Sequence, residues 1–409
     1  MDHKSLIAQL DKGEIKLHQL EEITDPRTAR LVRLEYISKL SGSELDAIGD
    51  SRLNEEQLYK KNIENLIGSV ELPLGVAGPI KLAGDFASGE YYVPLATSEG
   101  ALVASTNRGA RVTNLAGGIK VVSDYVGVTR APLFKTTGIV QSKAVMVWIR
   151  ENFNKLQELV LAKESHLTLL KIEPYYLGRK LWLRMYFDSS EAMGMNMATK
   201  AADYIAEHIC SHHEGLEMTA VSGNLCMDKK ANFINSLMGR GRKVSAEVLI
   251  PSELVTKYLK TTVSKIVEMH QGKVWQGSAM AGGIAFNAHF ANIIAATFAA
   301  TGQDLAHIVD SSQGYSLFEE QNGDLYVSIL LPSMMLGHVG GGTGLAKQKQ
   351  ARDLMFTELN SHQRPEKQFS ATLAEIIAAA VLCGELSLHA ALTGSDHVTA
   401  HESLGRSKQ

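Results

Sequence analysis

Apolar residues recur along this chain with two different periods, and the changes from one to the other divide it into regions. Leu6, Ile7 and Leu10, then Leu45, Ile48, Leu53 and Leu58, stand at helical intervals with charged residues between them, which predicts a helical N-terminal region over 1–60. After Ser69 the texture shifts to short apolar runs broken by Pro and Gly, ELPLGVAGPIKLAG and EYYVPLATSEG, which predict strands and tight turns. Thr97 or Ser98 is then placed to cap an alanine-rich helix that passes through Ala101 and Arg108 toward Leu115, where Gly117 and Gly118 end it.

Between Pro132 and Thr219 the alternating stretches HLTLLKIEPYYL and KLWLRMYFD predict strands, flanked by helices at Lys143 to Ala162 and Met195 to His212. A strand pair enclosed by such helices has the size of a small α+β domain. The expected organisation is therefore a large domain made of 61–131 and 220–409, with a small domain inserted at 132–219. Further on, a strand is expected at Asp324 to Leu331, and a C-terminal helix from about Phe369. The two longest apolar tracts are Gly282 to Thr301, with Asn287, His289 and Asn292, and Ala374 to Leu392, with Glu385 and His389. Polar groups of this kind are costly in lipid, so both tracts are expected as buried helices rather than membrane spans. The class is mixed, α+β.

Composition adds limits. At 409 residues the chain exceeds what one core normally fills, so more than one domain is expected. With 45% hydrophobic residues, 21% charged residues and a net charge of −3, nothing points to nucleic acid or a membrane surface as a partner. Cys210, Cys226 and Cys383 are too few and too far apart for a disulfide framework or a thiolate zinc site. The start, MDHKSLIAQLDKGE, lacks the basic and apolar regions of a signal peptide, so a cytoplasmic location is expected.

The chemistry concentrates in Val221 to Lys230, VSGNLCMDKK, where a carboxylate and two lysines follow small and amide residues. Alone, DKK reads as a solvated charged turn. Two further acids stand in small, apolar surroundings, Glu99 in TSEGA and Asp304 in GQDLA, and His401 lies near the C-terminus. Glu99 reads either as a first-turn carboxylate that complements the helix dipole or as a partly desolvated acid able to hold a proton near neutrality. Asp304 reads as a cap, or as the group that orients a lysine. His401 reads as an exposed histidine or as a proton donor on a mobile tail. His289, on an apolar stretch, reads as a satisfied core histidine. The run HVGGGTG permits close approach of an anion to backbone amides, yet no G-x-G-x-x-G follows a strand, and no H-E-x-x-H offers a metal site.

In order, ENLIG, LPLGVAGP, LATSEGALVASTNRG, GVTRAP, EAMGMNM, VSGNLCMDKKAN, GSAMAGG, NAHFAN, TGQD, HVGGGT and a histidine before GRSK resemble the catalytic portion of 3-hydroxy-3-methylglutaryl-CoA (HMG-CoA) reductase, class I. The resemblance implies four-electron reduction of HMG-CoA to mevalonate and CoA by two NADPH, with Glu99, Lys229, Asp304 and His401 as catalytic residues. It assigns Arg130, Ser222, Lys230 and Lys273 to the glutaryl end of the substrate, Ser105, Asn107 and Arg108 to CoA, and Asn292 to the substrate pocket. Met193, Gly194, Met195, Asn196, Asp228, Gly341 and Gly342 fall in the nicotinamide-cofactor region. The family's fold implies a ferredoxin-like small domain that binds the dinucleotide, and a large domain around a central helix, for which Ala279 to Thr301 is the candidate. It also implies a soluble homo-oligomer, a dimer or a dimer of dimers, with active sites shared between subunits.

Three positions depart from the family pattern. Ser165-His166 stands where a Ser-Arg pair receives the 2′-phosphate of NADP, and a histidine grips a phosphate less firmly than arginine. NADPH remains the expected cofactor because no acid repels the phosphate there, with NAD as the alternative in a degradative enzyme. Glu191 replaces an aspartate before AMGMNM, and His307 replaces a glutamine. A non-catalytic CoA-binding homologue is a further alternative, against which the four intact catalytic-type residues stand.

Overall fold

The computed structural model describes residues 2–59, 61–356 and 368–394. Contacts divide the chain into two compact units, Met1–Pro73 and Leu74–Gln409. The first is helical. Its two main helices, His3–Asp11 and Pro26–Ser41, bury Leu6, Leu10, Ala29 and Val32 around Leu20. Asp25 caps the second by accepting from Thr28 N at 3.0 Å, and Gly42 ends it in the left-handed region. The recurrence from Leu45 to Leu58 yields only two one-turn helices, Asp46–Gly49 and Glu55–Leu58, with Leu45 and Leu53 outside them. Arg33, almost fully buried, ties the unit together through Leu17 O, Leu66 O and Glu21.

Among the described residues the second unit carries ten strands. β1 (Leu74–Gly84) and β2 (Ser88–Ala96) form an antiparallel pair, and β1 also runs parallel to β3 (Ile119–Arg130). β4 (Leu133–Lys135), β5 (Thr168–Leu177), β6 (Lys180–Asp188) and β7 (Glu217–Ala220) follow, then β8 (Gly241–Ile250), β9 (Tyr315–Gln321) and β10 (Asp324–Met334). The sheet order is β7-β4-β6-β3-β8-β10-β9. The period-two pattern accounts for the burial: β8 turns Val244, Ala246, Val248 and Ile250 inward, and β10 does the same with Leu325, Val327, Ile329 and Leu331.

β3 belongs to two hydrophobic clusters. Its first half pairs with β8 and places Ile119 and Val121 in the larger core, while Val128 to Arg130 pair with Met185 to Phe187 of β6. Val128 joins a second core built from residues between Phe134 and Leu216, with Met335. Around that core stand the helices Ile139–Glu151 and Phe153–Lys163, broken at Asn152, and Met195–Ser211.

The helix at the centre of the larger core is Phe369–Thr393 rather than Ala279 to Thr301. Residues 282–289 are not helical, and the helix there spans only Phe290–Thr301. Gly282, at φ 72, and Gly283 interrupt it, and helix propensity falls by about 1 kcal/mol at each glycine. Phe369–Thr393 is the one helix among the described residues long and apolar enough to cross a membrane, and 78% of its most apolar window is buried inside the molecule. Each fully buried Leu or Ile on it contributes about 1.5–3 kcal/mol. Its carboxylates are satisfied internally: Glu375 accepts from Phe86 N and Ala87 N, and Glu385 from Ala288 N and His289 N. The helix Leu102–Leu115 crosses it closely at Gly109, where a Cβ would come within 2.0 Å of Cys383 O.

Candidate active site

The segment Val221 to Lys230 leaves β7 and turns back on itself through left-handed residues at Asn224, Met227 and Lys229. Its charges meet partners from three other parts of the chain, around Arg130, Arg240 and Asp304. Lys229 Nζ lies 2.8 Å from Asp304 Oδ2. Asp304 Oδ1 accepts from Ala306 N at 3.0 Å, so this carboxylate is at once a cap and the partner of a lysine. Burial pushes the Asp304 carboxyl up, but the bonds from Lys229 and the Ala306 amide, with the nearby His307, outweigh it and hold the group below its ordinary value.

Two packing contacts fix where Asp304 stands. Gln303 bonds both backbone groups of Gly337, through Nε2 to O at 3.0 Å and from N to Oε1 at 2.9 Å. Gly302 meets the glycine run: a Cβ on it would lie 2.3 Å from Gly342 O, so neither the left-handed backbone nor the space admits a larger residue. Gly341 and Gly342 open the 3-10 turn Gly341–Gly344 against this segment.

Asp228 is held by two guanidinium groups, Arg240 Nη2 at 2.9 Å and Arg130 Nη1 at 3.4 Å. Burial would raise its pKa, yet Arg240, His307 and Arg130 together lower it. Arg130 also donates to Ser222 Oγ at 3.4 Å and, through Nε, to Thr199 Oγ1 at 2.9 Å. Arg130, Ser222 and Asp228 thus form one polar cluster beside the twin lysines. Lys230 Nζ donates to Asp228 O at 3.0 Å. Asp228, His307 and Asp310 could by spacing surround a cation, but Arg240 already pairs with both carboxylates.

Glu99 precedes the Leu102–Leu115 helix instead of lying in its first turn, because Ala101 is left-handed and the helix starts after it. Thr97 Oγ1 accepts from Glu99 N rather than capping the helix. Glu99 Oε2 accepts from Asn292 Nδ2 at 2.7 Å, and the residue is exposed in the single chain, so the desolvated reading finds no burial there. Among the described residues no hydrogen bond or ion pair joins the Glu99–Asn292 pair to Lys229 or Asp304. His401 lies outside the described residues.

The other expected site residues take varied places. Ser105 and Arg108 both bond Ser387 on the Phe369–Thr393 helix, and Asn107 accepts from Gly78 N at 2.7 Å. Lys273 is exposed on the π-helix Gln271–Gly277, and Ser165 and His166 are exposed between the Phe153–Lys163 helix and β5. Met193 and Gly194 lead into the Met195–Ser211 helix, where Asn196 is exposed and Met195 is buried, its sulfur facing Arg240. Glu191 Oε2 accepts from Ser370 N at 2.7 Å, which makes it a tie to the start of the Phe369–Thr393 helix. His289 is half-buried, and its Nε2 has no hydrogen-bond partner, so it is not the satisfied core histidine expected. Sequence reasoning missed Arg240 and Asp310, both fully buried, because neither belongs to a motif that signals charge pairing.

The model of the hydroxymethylglutaryl-coenzyme A reductase family matches residues 29–406. The chain belongs to that family. A 3-hydroxy-3-methylglutaryl-coenzyme A reductase of Aeropyrum pernix is 44% identical over 98% of this chain and 96% of its own length. One from Methanocaldococcus jannaschii is 42% identical over 99% and 100%. A class II reductase of Streptococcus pneumoniae, solved bound to NADPH in open conformations, shares the fold with a TM-score of 0.63 at 18% identity, over 92% of this chain and all of that one. TSEG and NAHFAN meet in Glu99–Asn292, and DKK and GQD meet in Lys229–Asp304.

Proposed function

We propose that this protein reduces HMG-CoA to mevalonate and CoA with two NADPH. The observation that carries the reading is the Lys229–Asp304 pair beside Arg130, Ser222 and Lys230, a cationic and hydroxyl-bearing cluster with one lysine held at a carboxylate. A purified sample given HMG-CoA should consume reduced nicotinamide and form mevalonate and free CoA. Consumption of neither NADPH nor NADH would overturn the reading.

The Met195–Ser211 helix begins behind Gly194 with no side-chain cap, so its first amides suit the pyrophosphate of a dinucleotide. We assign the cofactor to this helix start with Asn196, to the Ser165-His166 loop, and to 132–219 as the inserted domain. Bound there, NADPH would supply the hydride. As the thioester carbonyl gains it, the negative charge on its oxygen is met by Lys229, which Asp304 keeps in place. Collapse of the resulting thiohemiacetal releases CoA thiolate, and His401 is assigned its protonation. The aldehyde left behind takes the second hydride, and Glu99, steadied by Asn292, is assigned the proton for that alkoxide. Arg130, Ser222, Lys230 and Lys273 are assigned the glutaryl carboxylate and hydroxyl.

Phe233 and Leu237, one turn apart on the helix Phe233–Met238 that follows the twin lysines, are exposed in the single chain. This apolar face beside the site supports a homo-oligomer whose subunits share it, and a partner there would bury surface that a lone subunit leaves wet. A second reading, NADH as the reductant, rests on His166, which offers a single imidazole where an arginine would offer a planar pair of donors.

A further inference from the structure

Behind the Lys229–Asp304 pair lies a carboxylate that sees no solvent. Asp310 is fully buried, yet four donors converge on it: Lys229 N at 3.2 Å, Lys230 N at 3.1 Å, Arg240 Nη1 at 2.6 Å and His307 Nδ1 at 3.0 Å. The first two are consecutive backbone amides. Lys229 has φ 57, and a left-handed residue in a turn directs successive amides at one point, which makes a small anion-binding hollow. Hollows of this kind hold the anion at many phosphate and Fe–S sites. Here it is filled by the chain's own aspartate.

His307 is the second member of this arrangement, and it too is fully buried. Asp310, paired with Arg240, can only accept, so His307 Nδ1 must carry the proton between them. That leaves Nε2 directed at two other carboxylates, 3.7 Å from Asp228 Oδ1 and 3.8 Å from Asp304 Oδ2, with no hydrogen bond of its own. One ring therefore touches the support of the lysine loop and faces the partner of Lys229. The charged groups around it are Asp228, Asp304, Asp310 and Arg240, with Lys229 beyond Asp304.

We propose that Asp310 and His307 are positioning residues of the reaction site: Asp310 holds the twin-lysine turn in one backbone conformation, and His307 locks Asp310 while facing Asp304. Neither touches the reacting atoms. Lys229 and Lys230 diverge toward different jobs from adjacent backbone positions, so a single buried anchor sets both. The idea deepens the proposed reductase reading, and its backbone arm stands without it.

The test compares the full-length protein with Asp310→Asn, His307→Leu and His307→Asn, by hydrogen–deuterium exchange of the peptide spanning 221–232 and by steady-state rates with HMG-CoA. In Asp310→Asn the amides of Lys229 and Lys230 should exchange at least about tenfold faster, since local opening then no longer has to break their bonds to a buried anion. The Phe369–Thr393 peptides should keep the parent's rate, kcat should fall and KM for HMG-CoA should rise together. His307→Leu should move the same quantities less, and His307→Asn, whose amide nitrogen can stand where Nδ1 stands, should restore them toward the parent. Parental exchange in the loop of both Asp310→Asn and His307→Leu would overturn the proposal, as would identical behaviour of the Leu and Asn variants. Faster exchange spread over the whole chain in both would make the pair a general folding element and also overturn it. A parent protein that protects the loop but turns over no HMG-CoA would count against the reductase reading alone, with the exchange arm still deciding this one.

Discussion

The Lys229 ammonium sits 2.8 Å from Asp304 Oδ2, with the two side chains 39% and 35% exposed. An ion pair so open to water adds at most about 1 kcal/mol to stability. Lys229 itself takes the left-handed region, which a lysine adopts at some cost. A pair that gives the fold so little fits the proposed role of Lys229 at the substrate.

Replacing Lys229 with Ala should therefore separate activity from folding. Turnover of HMG-CoA should fall by about a hundredfold or more, the loss that follows removal of one donor to a developing oxyanion. The thermal midpoint should stay near the parent's. Retained turnover in this variant would remove Lys229 from the chemistry.

The acid side of the stability curve should report Asp228. Its folded value lies below the ordinary carboxylate value of about 3.9, so its contribution is fully present above that pH and is lost as pH falls through the folded value. Asp228→Asn should melt lower than the parent near neutrality, and the gap should narrow below about pH 4. Melting curves measured from neutral to acid pH decide this, and a gap of constant size would refute it.

Arg240 bridges Asp228 and Asp310 with no exposure of its own, so Arg240→Ala should leave the buried Asp310 without its guanidinium and the half-buried Asp228 with Arg130 alone. A loss of about 3–5 kcal/mol is expected from breaking a buried ion pair on one side, measured by denaturant unfolding. A loss under 1 kcal/mol would mean that the cluster relaxes into solvent.

His166→Arg should improve NADPH as a substrate. An arginine can offer two parallel donors to the 2′-phosphate, and KM for NADPH should drop about three- to tenfold with NADH unaffected. Equal changes for both cofactors would place His166 away from that phosphate.

How much of this was legible beforehand depended on distance along the chain. Strands β5 and β6, the Met195–Ser211 helix and the start of the Phe369–Thr393 helix follow from local periodicity and lie where the pattern puts them. The cap of the Leu102–Leu115 helix does not, because a left-handed Ala101 delays the helix beyond Thr97 and Ser98. The choice of central helix also fails locally: both apolar tracts are rich in alanine, and only packing shows that one is broken by Gly282 while the other runs unbroken from Phe369 to Thr393. Lys229 and Asp304 stand out in sequence because they sit among small residues. Asp310 does not, since its meaning comes from amides about eighty positions earlier in the chain, Lys229 and Lys230, and from Arg240.

The crossing of β3 through two cores has a consequence for dissection. Met185 to Phe187 of β6 find their ladder on Val128 to Arg130, which lie before the segment 132–219 proposed as an insertion. A fragment cut at 132–219 would leave that side of β6 without its partner, and with it a row of bare amides and carbonyls. Open edges of this kind recruit other strands, so the excised piece should self-associate, and a fragment begun at Val128, after the residues that pair with β8, should resist it.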